Sequence, residues 1–225
     1  MEILNQAVEL LRQAIDIILN LNLHLNAWIT MFGPGIYVIL FLIIFAETGL
    51  IIFPFLPGDS LLFALGAMTV TENAYLNLPL LCVVLITAAI LGDAVNYWIG
   101  RHVGMRLFAN PNSKLFRREY LEKTQRFYDK HGGKTIILAR FVPIIRTFAP
   151  FVAGVGEMRY SRFFFYNVTG ALTWVLSITI AGAIFGNLPV IKRNFHIVIV
   201  AIIVISVLPI VIEVWKARRE AKKAI

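Results

Sequence analysis

Asn73-AYLNLPLLCVVLITAAIL-Gly92 runs for 20 residues without an Asp, Glu, Lys or Arg. A helix needs about 20 apolar residues to cross a hydrocarbon core of roughly 30 Å, so this stretch alone places the chain in a membrane. Working outward, Ile17–Ala46, Phe163–Ile191 and Asn194–Ile212 are equally free of charge. At least three of these tracts reach spanning length. The whole chain is 59% hydrophobic and 15% charged, against about 45–50% and about 25% in soluble domains. The expectation is an all-α polytopic membrane protein forming a single membrane domain over residues 1–225.

A net charge of +8 would suggest nucleic acid in a soluble protein. Here the basic residues stand in short segments beside apolar tracts, where they act as topology signals and contacts for anionic headgroups. The single cysteine, Cys82, lies inside an apolar span. It permits no intrachain disulfide and no cysteine metal cluster, and it reads as a small membrane-facing hydrophobe. The N-terminus lacks the pattern of a cleavable signal, since Glu2 and Glu9 precede the first basic residue, Arg12. Polar Asn5, Gln6, Glu9, Arg12, Gln13, Asp16 and Asn20 alternate at helical spacing with Ile3, Ala7, Leu10, Leu11, Ala14 and Ile18. That is an amphipathic helix lying on the membrane or reaching partway into it.

Phe32-Gly33-Pro34-Gly35 marks a break, after which an apolar run begins at Ile36. It meets Glu47, then Pro54, Pro57, Gly58 and Asp59, and resumes from Ser60 to Val70. Each arm has roughly 11 or 12 residues, too short to cross at 1.5 Å per residue, and the prolines oppose one continuous helix. The reading is a re-entrant helical hairpin with breaks at Pro54, Pro57 and Gly58. A spanning helix follows from Asn77 and Pro79 to about Gly100. The basic segment 101–134 contains a turn at Asn110–Ser113 and a second amphipathic helix, stopped by His131-Gly132-Gly133. A second interrupted stretch, Thr135–Gly156, holds Arg140, Pro143, Arg146 and Pro150, with breaks expected at both prolines. Ser161 is placed to cap a helix continuing to about Gly186, and a final span is expected over about 195–215.

Amphipathic helix, broken hairpin and spanning helix thus occur twice, in half one (about 1–100) and half two (about 113–186). Each spanning helix carries glycines twelve apart, Gly92 with Gly104 and Gly170 with Gly182. The 101–134 segment and the C-terminal tail hold fourteen basic residues between them, so both are expected on the cytoplasmic side. Lys192 and Arg193, expected outside, oppose this mildly. The two halves then run in opposite senses, an inverted repeat of the kind found in many secondary transporters.

Four charges fall inside the hairpins: Glu47 and Asp59 in the first, Arg140 and Arg146 in the second. Each would cost about 2.5–3.5 kcal/mol at the bilayer centre on insertion scales. Convergence of the two acids and two arginines between the hairpins is the simplest way to satisfy all four. Simpler roles stay open: Asp59 as a helix N-cap, Glu47 at the membrane boundary, Arg140 or Arg146 reaching to headgroups. Asp93, Asn96 and Tyr97 share one helix face and either line a cavity or bridge two helices. Guanidinium offers forked donors suited to phosphate, and a re-entrant arm points its positive N-terminal end into the membrane. Arg140 and Arg146 are therefore the candidate phosphate ligands. Glu47 and Asp59, alternating between proton-loaded and Arg-paired states, are the candidate coupling groups. His24, His102, His131 and His196 lack metal-ligand spacing, and no phosphate loop or nucleophile elbow is present. Neither an enzyme, nor a metal, nor a cofactor is expected.

Several strings resemble the DedA family: Phe45-Ala-Glu47-Thr-Gly49, Pro54-Phe-Leu-Pro57-Gly58-Asp59-Ser60, Gly92-Asp93-Ala-Val-Asn96-Tyr97-Trp-Ile-Gly100, Phe127-Tyr-Asp-Lys-His-Gly132-Gly133 and Ala139-Arg140-Phe-Val-Pro143-Ile-Ile-Arg146-Thr-Phe-Ala-Pro150-Phe-Val-Ala-Gly154. The resemblance covers nearly the whole chain. It implies a multi-pass protein of a bacterial inner membrane, with two facing re-entrant hairpins, whose relatives move lipids such as undecaprenyl phosphate or phospholipids across the bilayer. The family's functional acids and arginines fall on Glu47, Asp59, Arg140 and Arg146. The expected partners are an anionic lipid and protons, with a homo-oligomer left open and no nucleic acid. The expected function is a flippase dependent on the proton gradient; a proton-coupled antiporter for ions or small drugs is the alternative, and a structural or assembly protein a third.

Overall fold

The computed structural model of the protein describes residues 9, 21–50, 58–70, 75–108, 132–186, 188–202 and 204, and among these every regular element is helical. The N-terminal amphipathic helix, Pro54, Pro57, the Asn110–Ser113 turn, the second amphipathic helix and the C-terminal tail lie outside the described residues. So does most of the last expected span, of which 195–202 are largely helical.

Helix α1 (Leu21–Phe32) passes through a 3-10 turn at Gly33–Gly35 into α2 (Ile36–Gly49). Gly33 adopts a φ of 50°, a left-handed conformation that glycine enters without steric cost. The expected break is therefore a local kink rather than a chain reversal. Leu23–Gly49 together make 27 residues of sufficient length and apolarity to cross a membrane, where the sequence suggested that the arm starting at Ile36 was too short.

Helix α3 (Gly58–Met68) follows, then α4 (Leu78–Phe108). Asn77 caps α4, its Oδ1 accepting from the Leu80 N–H at 3.0 Å. The helix continues past the expected end at Gly100 because nothing from Arg101 to Phe108 breaks it; its first charges there are helix-compatible arginines. Helices α5 (Lys134–Ala139) and α6 (Pro143–Val155) make the second interrupted pair. Gly132 has a φ of 64° just before α5. Val142 is extended, as a residue before proline prefers, and Pro143 opens α6. Pro150 does not break the chain: it lies inside α6, where its ring costs one intrahelical hydrogen bond, to the Arg146 carbonyl, without ending the helix.

Helix α7 (Tyr160–Phe185) starts one residue before Ser161. Arg159 holds the N-cap position with no side-chain hydrogen bond, so Ser161 is not the cap. A short α8 (Pro189–Arg193) precedes the last helical residues. Leu78–Val103 and Tyr160–Phe185 are, with Leu23–Gly49, the three candidate spans among the described residues. The chain is an all-helical membrane protein.

The two interrupted pairs pack crosswise. Helix α2 lies on α4 and α5 on α7, while α3 crosses to α7 and α6 crosses to α4. Glycines bring the crossing backbones together. A Cβ at Gly66 or Gly182 would run into the carbonyl of Thr179 or Phe63, and one at Gly154 or Gly100 into that of Tyr97 or Phe151. Gly92 and Gly170 make further close approaches, to α2 and to α5. Gly92 and Gly100 on one span, and Gly170 and Gly182 on the other, are thus all points of close approach. Such close packing by small residues is how membrane helices associate without a hydrophobic drive between them. Cys82 is buried in this packing rather than turned to lipid.

Candidate functional site

Ionised side chains are rarely buried unless paired, and the described core holds an unusual set of them. Glu47, Asp93, Arg140 and Arg146 are each at most 5% exposed. Their positions follow from the interruptions in the helices. Glu47 sits in the last turn of α2, Asp59 in the first turn of α3, and Arg146 in the first turn of α6.

Arg146 takes two carboxylates at once, as its forked geometry allows. Its Nη1 lies 2.9 Å from Asp59 Oδ1 and its Nη2 pairs with Glu47 Oε1. Glu47 Oε1 also accepts the Gly58 N–H at 3.2 Å, so the carboxylate rests on the positive N-terminal end of α3. That seat requires glycine, since a Cβ at Gly58 would strike the Glu47 carboxylate. Gly58, expected as a hairpin break, is thus also part of the site floor. Asp59 meets Arg146 and the Trp174 indole rather than acting only as a cap.

Arg140 does not join this group. Its Nη2 lies 2.6 Å from Asp93 Oδ2 and 2.5 Å from Asn167 Oδ1. The expected balance of two acids with two arginines therefore becomes three carboxyl groups with two guanidiniums, Asp93 being the third. Gly170 makes room for the Arg140 side chain, which a Cβ there would press upon. The two clusters meet at Trp174, whose ring centroid stands 5.2 Å from the Arg146 guanidinium carbon and 6.0 Å from that of Arg140.

Two asparagines hold the surrounding backbone. Asn96 Nδ2 donates to the carbonyls of Thr48 and Thr147, at 3.2 and 2.7 Å. Those residues neighbour Glu47 and Arg146, so one amide fixes the spacing of the pair. Asn167 Nδ2 donates to the Ile90 carbonyl at 3.0 Å, tying α7 to α4 beside Arg140. Tyr97 stacks on Phe163 with centroids 4.4 Å apart, and its hydroxyl donates to the Met158 carbonyl. Asp93, Asn96 and Tyr97 accordingly all make contacts from one helix to another.

Trp174 and Asn167 escaped the sequence reading, although each left a signal. Asn167 is a full amide inside a charge-free tract, and Trp174 is a mid-span tryptophan, whereas tryptophan gathers at membrane interfaces. Among the described residues, no group of three or more His, Cys, Asp and Glu could hold a metal ion. Several buried polar atoms have no partner, including Glu47 Oε2, Arg140 Nε and Arg146 Nε.

The VTT domain profile matches residues 56–184. Protein DedA of Escherichia coli K12 is 56% identical over 217 residues, covering 96% of this chain and 99% of that protein. The uncharacterized membrane protein Rv0364 of Mycobacterium tuberculosis H37Rv is 39% identical over 197 residues, 86% of each chain. The inner membrane protein YqjA of Escherichia coli K12 is 36% identical over 156 residues, covering 69% of this chain and 70% of that one. No solved structure matches the chain. The chain belongs to the VTT-domain DedA family of membrane proteins.

Proposed function

We propose that the protein is a flippase that moves an anionic lipid, a polyprenyl phosphate such as undecaprenyl phosphate or a phospholipid, across a bacterial inner membrane at the expense of the proton gradient. One observation carries the reading: Arg146 is buried between Glu47 and Asp59, where α3 and α6 begin. A guanidinium suited to phosphate is thereby held by two groups that protonation would detach. With Asp93 included, the carboxyls outnumber the guanidiniums by one, which leaves the buried set electrically unbalanced unless a proton is bound.

The architecture proposed with this function is an inverted repeat of two re-entrant hairpins. The exchange of partners supports it, for the first arm of each half packs on its own span and the second arm on the other. The cytoplasmic side is assigned to 101–134 and the C-terminal tail from their basic charge. No covalent chemistry is assigned to the protein, and its partners in this reading are the lipid and protons.

The test is translocation of a labelled polyprenyl phosphate in proteoliposomes, wild type beside Arg140→Ala and Arg146→Ala, with and without an imposed pH gradient. Movement that needs Arg146 and responds to the gradient is expected. Correctly folded protein that moves neither polyprenyl phosphate nor phospholipid above empty vesicles would sink the proposal. The surplus carboxyl also suits a proton-coupled antiporter for ions or small drugs, which the same vesicles distinguish by cation-dependent proton release.

A further inference from the structure

Trp174 lies in the middle of α7 with no exposed surface. Its indole N–H donates to Asp59 Oδ1 at 2.8 Å, and Arg146 Nη1 reaches the same oxygen at 2.9 Å. Two donors, one neutral and one cationic, thus converge on a single anionic oxygen. The face of the indole is at the same time within cation–π range of both guanidiniums. Carboxylate and phosphate oxygens make the same demand on such donors, for both accept short charge-assisted hydrogen bonds. Asp59 therefore occupies a place that an anionic headgroup could take over, and Arg146 Nε, buried and without a partner, is a further donor beside it.

We propose that Trp174 is a headgroup-binding residue. Its indole N–H and Arg146 Nη1 form a two-donor seat for one phosphoryl oxygen of a lipid, and Asp59 fills that seat until the lipid displaces it. The inference rests on the reading of this site as a phosphate-lipid transporter. It follows that Asp59 competes with the substrate and that removing its charge opens the seat. The indole ring cannot be replaced by an isosteric hydrocarbon without loss, because the bond to the headgroup comes from its N–H.

The experiment uses purified full-length protein in nanodiscs, with Trp28, Trp98 and Trp215 replaced by phenylalanine so that Trp174 alone emits. Farnesyl phosphate, farnesol and inorganic phosphate are titrated in turn. A saturable change in Trp174 emission is expected with farnesyl phosphate and none with farnesol. In radiolabelled binding to otherwise wild-type protein, Trp174→Phe is expected to weaken farnesyl phosphate about tenfold, the scale of one hydrogen bond to a charged group. Asp59→Asn is expected to tighten it by a similar factor. Neutralising Asp59 would also strengthen anion binding through Arg146 alone, so the tryptophan's own role is read in the emission titration, which leaves Trp174 in place and stands even if Trp174→Phe folds poorly. Unchanged affinity in both variants, with lipid still bound and moved, would overturn the seat and leave the transporter reading intact. Failure of the wild type to bind farnesyl phosphate at all would overturn both. An equal response to inorganic phosphate would keep Trp174 as a ligand but overturn the lipid as the source of the phosphate.

Discussion

Arg140 Nη2 stands 2.6 Å from Asp93 Oδ2, with each side chain only 3% exposed. The pair joins the residue that ends α5 to the middle of α4, and Asn167 completes it from α7. It is therefore a tie between three helices before it is anything chemical. A buried ion pair adds little over an apolar replacement, but removing one partner strands the other charge at a cost of about 3–5 kcal/mol.

Asp93→Ala and Arg140→Ala are accordingly each expected to lower thermal stability in detergent markedly. Combining the two alanine changes is expected to cost less than the sum of the single ones. A double-mutant cycle on melting temperature measures the coupling, and strict additivity would show that the pair is not mutually dependent.

Arg146 depends on geometry as well as charge, since its two Nη atoms reach two different carboxylates. Lysine keeps the charge but has no fork. Arg146→Lys is therefore expected to remain folded while lipid translocation falls at least about tenfold, the loss of one charge-assisted hydrogen bond. Transport at the wild-type rate in this variant would mean that only a point charge is needed there.

These relationships were legible in the sequence to different depths. Charge-free tracts marked the spans through α4 and α7 because bilayer thickness sets a length that composition alone can report. Glu47, Asp59, Arg140 and Arg146 stood out because charge inside an apolar run is costly. Their pairing did not. Arg140 and Asp93 are 47 residues apart, and nothing local distinguishes Asp93 from Asp59 as a partner. The prolines misled in one place, since Pro143 opens a helix and Pro150 lies inside one. Gly33 read as a boundary, yet one left-handed glycine only bends a run that remains helical on both sides.

Glycine at 58 is expected to be required for a reason separate from chain flexibility. A Cβ there would meet the Glu47 carboxylate, which accepts the Gly58 N–H and Arg146 together. Gly58→Ala should displace Glu47 and impair transport more than it lowers the melting temperature, because the strain falls on one side chain. Gly182→Leu makes the contrast, for its added atoms would meet the Phe63 backbone and cost about 1–3 kcal/mol of packing. Parallel measurement of melting and translocation separates the two, and equal effects on both quantities in Gly58→Ala would refute the distinction.

Asn96 offers the clearest separation of position from charge. It bears no charge, yet its one amide nitrogen holds the carbonyls on either side of the Glu47–Arg146 contact, those of Thr48 and Thr147. Leucine has nearly the same shape and cannot donate, so Asn96→Leu loses both of these hydrogen bonds, at about 0.5–1.5 kcal/mol each. Aspartate is the sharper test when ionised, because it presents oxygen to both carbonyls and repels them. The expected order of melting temperature is wild type above Asn96→Leu above Asn96→Asp. Since α2 and α6 lose their common anchor, a spin-label pair placed on those helices should report a broadened distance distribution in both variants. A distribution as narrow as the wild type would assign the spacing of Glu47 and Arg146 to the ion pair alone.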